Sequence, residues 1–173
     1  MQTKGYVYPD KASYDYVVTG LKDHNVTFQK MINIIYDLSV EFVPSLTKAE
    51  CLAALNKVLS RRDVLSNAMV MLNLDKLANQ NQLDEPLNSI IGNDAGIFTV
   101  DEELAINIAH IYGDIGVTNF GYLDRKKKGI IKELDTNNKV STFIDDLVSA
   151  IIAASCSYIS HHNSGTKELY YGK

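Results

Sequence analysis

Leucine, isoleucine, valine and methionine recur along the chain at spacings of three and four residues. Only three prolines, Pro9, Pro44 and Pro86, stand between the long stretches that carry this pattern. Such spacing places apolar side chains on one face of an α-helix. No Asn-Gly or Asp-Gly turn flanked by alternating segments indicates a β-hairpin. The pattern therefore predicts an all-α protein.

The helix boundaries follow from caps and breakers. Thr47 and Glu50 form a predicted capping box, in which each side chain bonds to the other residue's backbone amide. Predicted helices cover residues 11–23, 27–40, 47–59, 62–79, 84–91 and 101–112. A shorter helix is capped by Thr118 or Asn119 and ends at 124–126, and the segment 130–135 follows a break at Gly129. A long last helix starts at Ser141 or Thr142. Asn137 and Asn138 are expected in a loop.

Composition supports one domain. The chain has 173 residues, 46% of them hydrophobic and 22% charged, which is enough for a packed core. No repeat or linker divides it. We expect a compact multi-helix bundle over residues 1–173, in which the apolar C-terminal helix is central and surrounded by the others. Residues 163–173 are expected to form a flexible tail.

Charge and cysteine content exclude several classes of protein. The formal net charge of −4 and a pI near 5.5 argue against nucleic-acid binding, which needs a basic surface. Cys51 and Cys156 lack the spacing of a zinc or redox motif and are expected to be reduced core residues. No export signal is evident, and the apolar run from Leu147 to Ile159 is short of the ~20 residues that cross a bilayer. We expect a cytoplasmic, soluble protein with at most peripheral membrane contact.

Two adjacent acids stand in the most apolar part of the chain. In TFIDDLVSAIIAA, helical geometry turns at least one of Asp145 and Asp146 toward the interior or a cleft. A buried carboxylate must be neutralised, hydrated or used. Pairing with a buried lysine or arginine would make it structural, whereas convergence with other acids would make it functional. The residues alone leave both readings open.

Other charged groups have the same two interpretations. Acids at a helix start, as in Asp101-Glu102-Glu103, are ordinary partners of the helix dipole. The basic run Arg125 to Lys128 is typical of a solvated face. Alternatively, acids of several helices meet around Mg²⁺, which prefers carboxylate oxygens, and Lys127 binds a phosphate. That metal set would be Asp101, Glu102, Asp124, Asp145 and Asp146. His110, His161 and His162 fit no nucleophilic triad or metal motif.

The order and spacing of three motifs resemble the phosphatidylglycerophosphatase A family. These motifs are VDEELA, GYLDRKKKGIIKELD and TFIDDLVSAIIAA, and the similarity covers about the C-terminal half, closest to a short, soluble bacterial branch. The residues that match the family's motifs are Asp101, Glu102, Asp124, Lys127, Ile131, Asp135, Asp145 and Asp146. The resemblance implies an all-helical fold and Mg²⁺-dependent hydrolysis of phosphatidylglycerophosphate to phosphatidylglycerol and phosphate.

The resemblance also implies roles for individual residues. The five acids named above would hold Mg²⁺, Asp124, Lys127 and Asp145 would be catalytic, and Lys127 and Lys128 would bind substrate. The chain departs from the family pattern at Gly121, where the family has arginine, and at Lys128 and Ile130, where it has prolines. It also lacks the spanning helices of membrane members. Alternatives are a soluble phosphatase with another small substrate, or a non-catalytic helical ligand-binding or assembly protein. A homo-oligomer is expected.

Overall fold

The computed structural model describes residues 5–136 and 142–163. Within those ranges every regular element is helical, which confirms the all-α prediction. The helices are α1 (Asp10–Asp23), α2 (Phe28–Ser39), α3 (Lys48–Leu59), α4 (Arg62–Asn79), α5 (Leu87–Gly92), α6 (Val100–Ala109), α7 (Asp114–Lys126), α8 (Ile130–Asp135) and α9 (Ile144–Asn163), with a 3₁₀ turn at His110–Tyr112.

Local signals placed the early helices accurately. Thr47 accepts a hydrogen bond from the Glu50 amide at 3.3 Å, and Glu50 accepts one from the Thr47 amide at 2.8 Å. This capping box begins α3 where the sequence predicted, because two backbone amides at the start of the helix gain a partner. Helix α4 has the predicted bounds of residues 62–79.

The start of α7 is a correction. Thr118 and Asn119 do not cap this helix, which begins at Asp114 behind Gly113, whose φ is 88°. Two glycines, Gly116 and Gly121, weaken the helical signal of this segment. Packing of α7 against α9 outweighs that weakness. Ser141 and the predicted loop at Asn137 and Asn138 lie outside the described residues. So does the predicted tail of residues 163–173, except for Asn163, which is the last residue of α9. Helix α9 begins two residues after Thr142.

Helix α9 lies at the centre of the bundle, as predicted. It packs against α2, α3, α4, α6, α7 and α8. Two of its buried serines bond to carbonyls: Ser155 donates to Ile151 at 2.8 Å and Ser157 to Tyr112 at 2.7 Å. The buried Ser149 hydroxyl has no partner among the described residues. Cys51 and Cys156 are buried free thiols, as expected. Within the described ranges, no helix combines the length and apolar character that crossing a bilayer requires.

A charged pair joins α1 to α4 away from α9. The His24 ring nitrogens face two acceptors: Nδ1 lies 2.9 Å from the Gly20 carbonyl and Nε2 3.2 Å from Asp75 Oδ2. Both nitrogens can donate only when the ring is protonated. The hydrogen bond with buried Asp75 raises the pKa of His24 above its ordinary value of 6.5, against the opposing effect of burial. The folded protein therefore favours the imidazolium.

This pair predicts a pH dependence of stability. A raised folded-state pKa means that the contribution is complete below pH 6.5 and is lost as the pH rises through the folded-state value. We expect the free energy of unfolding of the wild type to fall across that interval by more than that of His24→Gln, measured by urea denaturation at a series of pH values. Identical pH profiles for the two proteins would contradict the assignment.

Candidate acidic site

Three helix ends carry the acids that the sequence singled out. Asp145 and Asp146 occupy the first turn of α9, Asp124 lies in the last turn of α7, and Asp101 lies in the first turn of α6. Since α6 and α7 both pack on α9, these ends meet at one end of the bundle. Asp145, Asp146 and Asp101 are all buried. The structure thus brings together four of the five predicted metal ligands, which we call the acidic cluster.

Lys127 lies among these carboxylates. Its ammonium donates to Asp145 Oδ2 at 2.6 Å and to Asp124 Oδ1 at 2.9 Å, and it lies 3.9 Å from Asp135 Oδ1. The residue follows α7 in the left-handed region, with φ 42° and ψ 64°. That conformation is costly for a residue with a side chain. The ion pairs that Lys127 forms from this position indicate that the site determines its backbone conformation.

The pair of Lys127 and Asp145 is strongly coupled. Burial alone lowers the pKa of Lys127, but the hydrogen bond and charge of Asp145, followed by those of Asp124, outweigh burial and raise it. For Asp145, burial is the largest effect and raises the pKa, and Lys127 offsets part of that rise. Because Lys127 Nζ and Asp145 Oδ2 are only 2.6 Å apart, Lys127 is a charged donor here.

Asp146 is the anomalous member of the acidic cluster. Its side chain is 5% exposed, and no described residue makes a hydrogen bond to its carboxylate. Burial, followed by the negative charges of Asp145 and Asp124, raises its pKa to about 8. Lys127 lowers that pKa, but by less than these effects raise it. An ionised Asp146 is therefore destabilising as the site stands.

Asp101 completes the acidic cluster from α6. Its Oδ1 atom is buried and has no hydrogen-bond partner among the described residues. Burial is the main reason why its pKa is raised. Two contacts join the residues before α6 to those just before α9: Thr142 Oγ1 donates to the Ile91 carbonyl of α5 at 2.9 Å, and the rings of Phe98 and Phe143 meet edge to face at 5.9 Å.

Two other predicted site residues lie at the surface. Glu102 is exposed, and its effect on the cluster is repulsion of Asp101. Lys128 is exposed, with its Nζ 5.0 Å from the centre of the Tyr122 ring. It lines a depression of about 290 Å³ between α2 and the turn before α8, which none of the clustered acids lines. The metal role of Glu102 and the substrate role of Lys128 stay predictions.

The donor set matches the chemistry of a hard divalent cation. Carboxylate oxygens are the ligands that Mg²⁺ prefers. Here an Asp101 oxygen and the Asp146 carboxylate are buried near two further acids, and neither has a partner in the described part of the chain. Within the described part of the chain, no three acidic, histidine or cysteine side chains are grouped to hold a metal as they stand. Binding would therefore require carboxylates to turn toward one point.

Sequence reasoning missed how Lys127 is held. It assigned this lysine to phosphate, whereas in the structure the lysine bridges α7 and α9 through Asp124 and Asp145. Asp135 was matched to the family motif but given no role, and it lies 3.9 Å from the same ammonium. The spacing of the family motif was the signal in the sequence that pointed to Asp135. The tie from Thr142 to Ile91 had no sequence signal, because it joins segments 51 residues apart.

The fold and site define a class: an all-helical protein whose central helix presents two buried acids beside a lysine. The sequence model described as Phosphatidylglycerophosphatase A matches residues 27–161. The chain therefore belongs to the phosphatidylglycerophosphatase A family.

Relatives agree with this membership. The chain is 39% identical to YpjQ of Bacillus subtilis (strain 168) over 142 residues, covering 82% of this chain and 80% of YpjQ. It is 38% identical to YutG of the same organism over 149 residues, covering 85% and 90%. Both are described as uncharacterized. The crystal structure of the low temperature requirement C protein of Listeria monocytogenes superposes with a TM-score of 0.84 at 34% identity, covering 88% of this chain and 98% of that one.

Proposed function

We propose that the protein is a Mg²⁺-dependent phosphomonoester hydrolase that converts phosphatidylglycerophosphate to phosphatidylglycerol and phosphate. Membership of the phosphatidylglycerophosphatase A family supports the reaction class. The observation that carries the proposal for this chain is Asp146, a buried carboxylate that forms no ion pair with any described residue and lies next to three further acids. Such an arrangement is costly unless it serves a ligand of positive charge.

The acids divide into two groups by their present partners. Within the described ranges, Asp101 and Asp146 pair with no cation and are the first ligands that Mg²⁺ would find, whereas Asp124 and Asp145 hold Lys127. All four would hold the metal once Lys127 moves from between the latter two. When bound, Mg²⁺ would polarise the phosphoryl group and lower the pKa of a bound water.

Lys127 supplies the positive charge that a phosphomonoester requires. Asp145 and Asp124 raise its pKa and keep the ammonium charged. After giving up its direct contacts with them, Lys127 would still lie beside these acids, because it directly follows the last turn of α7. A charged lysine can neutralise the phosphate oxygens while water attacks phosphorus and the bond to the glycerol oxygen breaks. The leaving oxygen takes up a proton, and phosphate is released.

The proposal predicts phosphate release that depends on both the metal and the substrate. We expect release from phosphatidylglycerophosphate in mixed micelles with Mg²⁺, and none with EDTA, measured with a colorimetric phosphate assay. Lys127→Met should reduce the rate by at least about a hundredfold, whereas the exposed Lys57→Met on α3 should not. Release from soluble phosphomonoesters alone would reject the lipid substrate, and release in EDTA would reject the metal.

A further inference from the structure

Exposed apolar side chains collect on the segment just before the acidic cluster. Leu87, Ile90, Ile97 and Val100 are all exposed, and Ile97 is 93% exposed. The segment 87–100 is nevertheless fixed to the core, because Ile91 is buried between them and its carbonyl accepts the bond from Thr142. Apolar side chains presented by a fixed backbone indicate a surface for a partner. We call this segment the apolar border.

The apolar border adjoins the acidic cluster directly. Val100 is the residue before Asp101, whose charge repels that of Asp146. Phe98, within the border, packs edge to face on Phe143 just before α9. A molecule that covered the apolar border would therefore lie beside the carboxylates.

A second border of the cluster is basic and aromatic. Arg125 and Lys126 are exposed next to Asp124, and no acid among the described residues pairs with either. Lys128 lies over the exposed ring of Tyr122. Lysine or arginine beside tyrosine is typical of side chains at a membrane surface, where the ring lies at the level of the head groups. We call Tyr122, Arg125, Lys126 and Lys128 the basic border.

We propose that the two borders dock the acidic cluster onto a bilayer that contains anionic phospholipid. This inference rests on the proposed function, because the acyl chains of the substrate keep its phosphate at a bilayer surface. Stable peripheral binding needs two signals, and here they are separate: apolar side chains that insert and cations that attract head groups. Both signals adjoin the carboxylates, so docking would bring the phosphate to them.

Exposed acids limit how the protein binds. Asp94, Glu102 and Glu103 lie at the apolar border and oppose an anionic surface. Insertion of Ile90 and Ile97 into the bilayer must therefore provide the binding on that side, while the basic border supplies the electrostatic attraction to the head groups. Vesicle binding should for this reason keep a salt-resistant part, unlike adsorption through charge alone.

Flotation with vesicles that lack the substrate tests docking independently of activity. The probes are vesicles of phosphatidylcholine with phosphatidylserine, and of phosphatidylcholine alone. We expect the wild type to bind the former, and I90S/I97S and R125Q/K126Q each to bind about tenfold less. Matched controls are Phe42→Ser, at an exposed site beyond α2, and K11Q/K57Q, at exposed lysines of α1 and α3. These should bind as the wild type does.

Three results would overturn the proposal. The first is binding by I90S/I97S equal to that of the wild type, and the second is no binding by the wild type. The third is a sedimentation experiment in which I90S/I97S converts an oligomer to a monomer with vesicle binding unchanged, since a second copy would then cover the apolar border.

A water-soluble short-chain analogue of phosphatidylglycerophosphate separates docking from chemistry. We expect I90S/I97S to hydrolyse it at the wild-type rate while losing about tenfold in rate on substrate embedded in vesicles. If I90S/I97S lost the same factor in rate on both substrates, docking would be overturned as the role of the apolar border. If the wild type hydrolysed neither substrate, the proposed function would fail, and flotation would still decide docking.

Discussion

Asp146→Asn should abolish Mg²⁺-dependent phosphate release and at the same time make the metal-free protein more stable. The first effect follows from the loss of a metal-binding carboxylate, for which we expect a rate at least about a hundredfold lower. The second follows from the environment of the residue. Asp146 is buried, forms no ion pair with the residues that the structure describes and is repelled by Asp145 and Asp124. Asparagine has nearly the same shape without the charge.

The gain in stability has a defined pH dependence. The pKa of Asp146 rises from 3.8 to about 8 on folding, so ionisation favours the unfolded chain between these values. Below pH 3.8 both states are protonated and Asn should give no gain. Above it the gain should grow by up to ~1.4 kcal/mol per pH unit, which brings it to a few kcal/mol near neutral pH, and it should level off above about pH 8. For a chain of this length, a gain of that size raises Tm by several degrees.

Thermal melts in EDTA and in Mg²⁺ or Mn²⁺ check both effects. The wild type should melt at a higher temperature with metal, because a ligand that binds only the folded state stabilises it. Asp146→Asn should lose that shift, whereas Asp37→Asn, at an exposed position of α2, should keep it. If Asp146→Asn kept the metal-dependent rise in melting temperature, or if the wild type showed no such rise, the metal assignment would be contradicted.

The elements that the sequence predicted well are those whose boundaries depend on neighbouring residues. The capping box of Thr47 and Glu50 fixed the start of α3, because its bonds span only three residues. The start of α7 could not be predicted in this way. Gly113, Gly116 and Gly121 dilute its helical pattern, and contact with α9 stabilises it instead. Tertiary packing of this kind leaves little trace in a local window.

The acidic cluster, too, could be predicted from the sequence only in part. That at least one of Asp145 and Asp146 would be buried followed from the apolar residues around them, and the structure buries both. The partner of each could not be predicted, because it depends on where α7 ends. Lys127 reaches Asp145 from a left-handed backbone position usually taken by glycine or asparagine. The sequence therefore did not tell which of Asp145 and Asp146 has a cationic partner, whereas the structure pairs Asp145 with Lys127 and gives Asp146 no such partner among the described residues.

Gly116→Ala is expected to be the most destabilising of the substitutions considered. A Cβ at Gly116 would lie 1.9 Å from the Ala109 carbonyl oxygen and 3.0 Å from the carbonyl carbon. The first turn of α7 crosses the end of α6 here, and the clashing atoms belong to the backbone. A flexible side chain could turn aside, but the backbone cannot, so one helix must shift. We expect a loss of about 3 kcal/mol or more in the free energy of unfolding.

The shift should also reach the acidic cluster. Helix α7 packs along α9 and carries Asp124 and the turn with Lys127, so displacing its start moves both relative to Asp145. Gly121→Ala on the same helix is the matched control, because a Cβ there meets nothing within 4 Å. It should be neutral or raise stability by roughly 0.5–1 kcal/mol through helix propensity. Urea denaturation of both variants separates packing from propensity, and equal stability would show that the α6–α7 crossing accommodates a methyl group and that the close approach at Gly116 is not required by the fold.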